Sequence, residues 1–276
     1  MINPNMTLSL SIMSGKGGVG KTNLALNLGY ALFRQGLTSL LMDCDLGLAN
    51  LDVMLGLAPE RNLQDLLGDE VPTDEVVAAI EPGGFDFLPA ASGVPELVEM
   101  DEDMRAVLFQ KITGLLSRYQ MLVLDLGAGI NSTALAFAAM TQLRLMVVTP
   151  EPTSLTDSYA MMKVLRNEHG VTDFLVVVNM ASGKQEAART FERLSGACQN
   201  FLGMEPRLLG FIRHDPKVPD SIRHQIPLLR HAPDSPASKD IQQLAKVFLR
   251  YRLDNMEAIS ARPVLKNFHL GQEKNG

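Results

Sequence analysis

The sequence predicts an α/β fold with a mainly parallel, twisted sheet flanked by helices, and three observations carry that expectation. Short β-prone or apolar runs recur along the chain, most of them separated by segments of helical spacing. A glycine-rich loop lies directly between the first such run and the first helical pattern. No internal repeat, low-complexity block or Pro/Gly/Ser-rich linker divides the 276 residues. One domain is therefore expected over residues 1–252, with a tail over 253–276.

The strand candidates are Leu8–Met13, Thr38–Asp43, Phe85–Pro89, Met121–Asp125, Leu143–Thr149, Phe174–Asn179 and Arg207–Ile212. Thr22–Gln35 places Leu24, Ala25, Leu28, Ala31 and Leu32 on one helical stripe, and Gly36 supplies a terminator. Ser154–His169, Gln185–Phe201 and Ser238–Tyr251 have the same spacing; in the last, Ile241, Leu244, Ala245, Phe248 and Leu249 form the stripe to be buried. From about Leu253 the periodicity is lost, and the ending Gly-Gln-Glu-Lys-Asn-Gly has the composition of a frayed tail. Val264, Leu265 and Phe268 could share a short helical face beside Lys266, which limits the tail to weak membrane attachment.

Hydrophobic residues make up 46% of the chain, enough for a sizeable core. The balance of 25 basic against 31 acidic residues, a formal charge of −6, does not favour wholesale binding to nucleic acid. Cys44 and Cys198 lie far apart without a Cys-x-x-Cys pair, so neither a disulfide framework nor a cysteine-held metal is expected. A reducing cytoplasm fits, because the first residues lack a basic segment ahead of an apolar one and no apolar run approaches the span of a bilayer. Peripheral attachment at the inner membrane stays open. His169, His214, His224 and His231 fall in loops or helix ends without metal-ligand spacing, which suggests surface or capping roles. The methionines, Met161 and Met162 among them, read as core filling.

The chemistry is concentrated in Gly15-Lys16-Gly17-Gly18-Val19-Gly20-Lys21-Thr22, with Asn23 following in the helix. Seated between strand and helix, this is the P-loop pattern. Glycines let the backbone turn tightly and aim its N–H groups at phosphate oxygens, while the helix N-terminus adds a positive dipole end. Lys21 would bridge the β and γ phosphates of ATP, and the Thr22 hydroxyl would ligate Mg²⁺. The bland alternative is a glycine-rich turn that binds nothing; its four fixed positions arise by chance in roughly one chain in a hundred. A P-loop ATPase also needs a carboxylate at a strand end for Mg²⁺, and Asp125 closes the run Met121-Leu122-Val123-Leu124-Asp125.

The extra lysine in Lys16-Gly17-Gly18-Val19-Gly20-Lys21-Thr22 makes the loop resemble the deviant Walker A motif of the MinD and ParA superfamily. That resemblance implies an ATP-dependent homodimer in which Lys16 reaches the partner's phosphates. Asp125-Leu126-Gly127-Ala128-Gly129 is similar to the family's second switch, although Leu126 stands where a small hydroxyl residue is usual and Gly127 where Ala or Pro is usual. Asp43-Cys44-Asp45 resembles its first switch, which implies that Asp45 orients the attacking water and Asp43 supports the magnesium shell. Alone, those acids read more simply as an acidic strand end with a polar loop, since Asp is common in loops. Cys44 reads as a packed small residue rather than a nucleophile.

The segments Asp45–Leu57, Leu88–Gly93 and Pro150–Ala160 resemble the MinD-like regulators of flagellar number, the FlhG or FleN branch; MinD proper usually has Arg at the position of Ala49. The resemblance implies that Glu151 approaches a nucleotide ribose across the dimer, that Asp157 lies on a partner-facing helix and that Asn179 contacts adenine. Glu151 and Asp157 read alternatively as surface acids, and Asn179 as a turn cap. Arg213 occupies a loop that would contact the base, where many relatives have Pro. Implied partners are the flagellar GTPase FlhF, a flagellar transcription regulator or basal-body proteins. The competing readings are MinD-type division-site placement, a ParA-type DNA-segregation ATPase, and an iron–sulfur carrier, whose Cys-x-x-Cys is missing.

Overall fold

The computed structural model of the protein describes residues 7–45, 51–67, 71–72, 75–89 and 102–266. Along them run β1 (Leu8–Met13), α1 (Lys21–Arg34), β2 (Ser39–Cys44), α2 (Leu51–Leu55), a 3-10 helix (Leu63–Leu67), β3 (Ala78–Glu81), β4 (Phe85–Leu88) and α3 (Glu102–Leu116). Next come β5 (Met121–Leu126), α4 (Ser132–Met140), β6 (Leu143–Val148), α5 (Pro152–His169), β7 (Leu175–Ala181), α6 (Lys184–Leu202) and β8 (Arg207–Arg213). The last elements are α7 (Lys217–Arg223), α8 (Leu228–His231), α9 (Pro236–Asp254) and α10 (Met256–Ser260).

The strands form one sheet in the order β3-β4-β2-β5-β1-β6-β7-β8. All neighbours are parallel except β3 and β4. The order winds outward from β1 in both directions, and in such sheets ligands bind beyond the carboxyl ends of the strands at the reversal point. Every residue of β1, β2, β5 and β6 is buried, as expected for strands covered by helices on both faces.

Side chains alternate between two cores. Leu41, Val123, Ile12, Leu145 and Val147 pack toward α1, α8 and α9; Met42, Leu124, Leu126, Met146 and Val148 pack toward α3, α4, α5 and α6. The same alternation sends Asp43 and Asp125 to the α1 side and Cys44 and Leu126 to the other.

β3, α3 and α4 are additional to the sequence expectations. α4 is buried almost all round, so it has no polar face to mark a helical stripe. Its start is fixed by Asn131, whose side chain accepts from the Ala134 N–H at 2.7 Å.

The C-terminal segment also differs from expectation. α9 continues through Leu253 to Asp254, and α10 follows at once. Gln142 then clamps the segment: its amide donates to the carbonyls of Ile259 at 3.0 Å and Arg262 at 2.9 Å, while its oxygen accepts from the Ser9 N–H at 3.0 Å. Ser9 Oγ donates to the Val264 carbonyl, and Leu265 forms a bridge with Thr141. Val264 and Leu265 pack against the core from extended chain, so they do not build the helical face expected with Phe268, which lies outside the described residues.

Candidate functional site

The phosphate loop is held to the body of the protein by backbone contacts that exclude side chains. A Cβ on Gly15 would lie 2.2 Å from the Asp157 carbonyl carbon in α5. Gly20 caps α1 in a left-handed conformation, φ 83°, and a Cβ there would meet Asn179 Nδ2 at 2.5 Å. No side chain caps α1, so its first-turn N–H groups, those of Lys21, Thr22 and Asn23 included, face the site.

Behind the loop stand the strand-end acids. Asp43 and Asp125 are register partners on β2 and β5, each 1% exposed. Lys21 Nζ donates to Asp125 Oδ1 at 3.1 Å, and the Thr22 side chain hydrogen-bonds the same carboxyl. Asp43 Oδ1 accepts from the Asp45 N–H at 2.9 Å. Burial pushes the Asp43 carboxyl up to about 7, Asp125 and Asp45 add to the rise, and the N–H groups of Asp45 and Leu51 oppose it. Asp125 is also raised by burial, against the pull of Lys21 and Thr22. Paired buried carboxylates beside a hydroxyl are a hard oxygen set that gains from a divalent cation, and this donor set fits Mg²⁺. Cys44 faces the other core, where burial holds its thiol well above its usual value.

A pocket of about 710 Å³ opens over the loop. Lys16, Gly17, Gly18, Val19, Gly20, Lys21, Thr22, Asn23 and Asp45 line its polar end. Met54, Ile212, Val218, Pro219 and Ile222 line the other, an apolar slot of the kind that takes a flat ring. Asn179 and Arg213 both reach this wall, each with partners of its own. Asn179 Nδ2 donates to the Val19 carbonyl at 2.8 Å, and Arg213 makes two 2.8 Å bonds to Asp240 and one of 3.2 Å to the Pro236 carbonyl. Lys16 leans out of the pocket to Glu151 Oε2 at 2.6 Å and Thr153 Oγ1 at 3.1 Å. Glu151 thus meets the loop only through that lysine, and Asp157 meets it through backbone at Gly15.

The departures at 126 and 127 have local explanations. Leu126 is fully buried in the core opposite the site, where a leucine packs. A Cβ at Gly127 would make an ordinary contact, 3.5 Å, with Asp45 Oδ1, so the smaller residue leaves room rather than filling a need.

A model of the CobQ/CobB/MinD/ParA nucleotide binding domain matches residues 10–228, from β1 through the start of α8. The chain belongs to this family. It is 38% identical over 237 residues to the antiactivator FleN of Pseudomonas aeruginosa, covering 86% of this chain and 84% of that protein. To the flagellum site-determining protein YlxH of Helicobacter pylori it is 34% identical over 244 residues, covering 88% and 82%. Among solved structures, the cell division ATPase MinD of Pyrococcus furiosus superposes with a TM-score of 0.71 at 25% identity, covering 89% of this chain and all of that one. MinD in the MinC:MinD complex of Aquifex aeolicus gives 0.71 at 27%, covering 88% and 96%. As a MinD/ParA-type protein the chain is an ATPase, a regulatory member of the MinD branch. No helix among the described residues is long and apolar enough to cross a membrane.

Several pocket residues carry no motif. Val218, Pro219 and Ile222 on α7 reach it through the fold alone, while Val53 and Met54 on α2 belong to the Asp45–Leu57 segment but have no site role assigned by that resemblance. Met180 is also part of it, held at φ 57°, a left-handed conformation uncommon outside glycine and often found at binding sites.

Proposed function

We propose that this MinD-family ATPase is a dimerising switch that hydrolyses ATP slowly and regulates flagellar number or placement through partner proteins. The observation that carries the reading is the position of Lys16, 39% exposed on the pocket lining with its ammonium paired to Glu151 and Thr153 rather than to a carboxylate behind the loop. A cation so placed is available to a second copy. When ATP bridges two chains, Lys16 serves the partner's phosphates as an arginine finger does, stabilising charge that one subunit leaves uncovered.

Within one subunit, the first-turn amides and Lys21 bind the phosphates, Thr22, Asp43 and Asp125 hold Mg²⁺, and Asp45 orients the attacking water. The metal, when bound, neutralises phosphate charge. Asn179 fixes the loop through Val19 while its oxygen remains to accept from a base amino group. The names of the FleN and YlxH relatives support the flagellar output, and the MinC:MinD complex offers a precedent for a protein partner. Under this reading FlhF, a flagellar transcription regulator or a basal-body protein receives the signal.

The test is to measure ATP affinity, ATP-dependent molecular mass and steady-state hydrolysis on the wild type and Lys16→Ala. The variant is expected to bind ATP as a monomer and to lose both dimer and turnover. Normal dimerisation and hydrolysis by Lys16→Ala would sink the cross-dimer mechanism.

A further inference from the structure

Three side chains, two of them four residues apart and the third from beyond a turn, meet on the outer side of the pocket wall. Asp220 lies on α7 and His224 caps its C-terminus one helical turn later, and His231 comes from α8. His231 Nε2 lies 3.0 Å from Asp220 Oδ2, and His224 Nδ1 lies 3.7 Å from Asp220 Oδ1. The two imidazoles stack with centroids 4.9 Å apart. One nitrogen from each ring and one carboxylate oxygen all fall within 4.8 Å of one another.

We propose that Asp220, His224 and His231 form a site for one zinc-class divalent cation, separate from the magnesium site at the phosphate end. Zinc takes nitrogen and carboxylate oxygen at about 2.0–2.2 Å in tetrahedral geometry, which sets ligands roughly 3.3 Å apart. The observed separations, 3.0 Å to Oδ2 and 3.7 Å to Oδ1 of Asp220, lie near that spacing, with the three ligand atoms within 4.8 Å of one another. His224 now bonds the Asp220 carbonyl through Nδ1 at 2.9 Å and stacks on His231, and at 58% exposure much of its ring faces solvent. Besides the two imidazoles, the Asp220 carboxylate has Lys217 as a neighbour. Lys217, 3.4 Å away and 55% exposed, can withdraw into solvent when a dication replaces it. Two imidazoles and one carboxylate leave a fourth position for water, and the nitrogen-rich set selects zinc-class metals over Mg²⁺.

The placement gives such an ion a structural effect. The inner side of α7, through Val218, Pro219 and Ile222, is the apolar wall of the pocket. α8 is docked on the phosphate-loop helix, where the Leu229 N–H donates to Asn27 Oδ1 at 3.1 Å. An ion joining Asp220 and His224 to His231 therefore ties the wall of the pocket to the helix that carries the loop.

The experiment is calorimetric titration of the untagged, full-length, metal-free chain with Zn²⁺, and separately with Co²⁺, in excess Mg²⁺ without nucleotide. One equivalent is expected, with Co²⁺ giving the intense visible bands of a low-coordinate, imidazole-bound ion. His224→Ala and His231→Ala should each weaken binding by about tenfold or more, at least the loss that follows removal of a supporting partner. Absence of binding to the wild type, or binding of equal stoichiometry and affinity to His224→Ala, overturns the site. His224 is exposed, so its variant decides the matter even if His231→Ala fails to fold.

Discussion

Lys16 and Glu151 form an ion pair of 2.6 Å at the mouth of the nucleotide pocket, joining residues 135 positions apart in the chain. The pair is 39% and 61% exposed. Exposed pairs contribute about 0–1 kcal/mol, too little to hold the fold. Lys16→Ala and Glu151→Ala should therefore both melt within a few degrees of the wild type. Turnover should fall by about a thousandfold in Lys16→Ala alone, the scale of losing a trans-acting cation. A parallel loss of melting temperature and activity in Lys16→Ala would assign the residue to stability.

Asp45 lines the pocket beside the loop, while its backbone N–H secures Asp43. In the proposed mechanism its carboxylate would repel the ground-state phosphate charge and would act by positioning water as the transition state forms. Asp45→Ala should retain nucleotide affinity, lose turnover by about a hundredfold or more, and accumulate as an ATP-bound dimer. Equal losses of affinity and turnover, read by titration and phosphate release, would contradict this assignment.

Asp43 makes the metal-free protein sensitive to pH. Its carboxyl titrates near 3.8 when unfolded and near 7 when folded, so the folded chain holds the extra proton between those values. Stability is then highest below the unfolded value and declines as pH rises through the folded one, by on the order of 4 kcal/mol. In urea denaturation with chelator and no nucleotide, the wild-type midpoint should drop across this window. Asp43→Asn should flatten the decline and be the more stable protein above neutrality. Identical pH profiles for the two would refute the burial argument.

Gln142 is fully buried and spends its whole amide on Ser9, Ile259 and Arg262. Gln142→Leu leaves the Ser9 N–H without its acceptor and releases the clamp, at a cost of about 2–4 kcal/mol. Hydrogen exchange should quicken over 256–266 while the pocket stays protected. Unchanged exchange there would mean the segment is held by Val264 and Leu265 alone.

The main strands and the phosphate loop were legible because each follows from a local rule. Unbroken apolar runs such as Leu175–Val178 mark strands covered on both faces, and the loop glycines mark a tight turn before a helix. Alternation also accounts for Cys44, sent away from the site by the same pleat that sends Asp43 into it. What escaped were features without a period. α4 lacks a polar stripe, and β3 has four residues, two of them alanine. The C-terminal segment is fixed by a glutamine more than a hundred residues earlier in the chain. Of the Asp220, His224 and His231 group, only the four-residue step from Asp220 to His224 is visible locally; the stacked His231 arrives through a turn and a second helix.

β1 carries a different task at each end. Ser9, near its start, accepts the C-terminal segment, and Ser14, one residue past its end, bonds the Lys16 carbonyl at 2.9 Å inside the loop. The five residue steps between these duties span about 16 Å at the usual rise of an extended strand. The molecule thus has two poles, one where nucleotide is gripped and one where the chain leaves at Lys266, anchored to the Met140 carbonyl. A surface tether joined at Lys266 would act at the pole opposite the phosphate loop, so that in the dimer proposed above attachment and pairing would use different ends of β1.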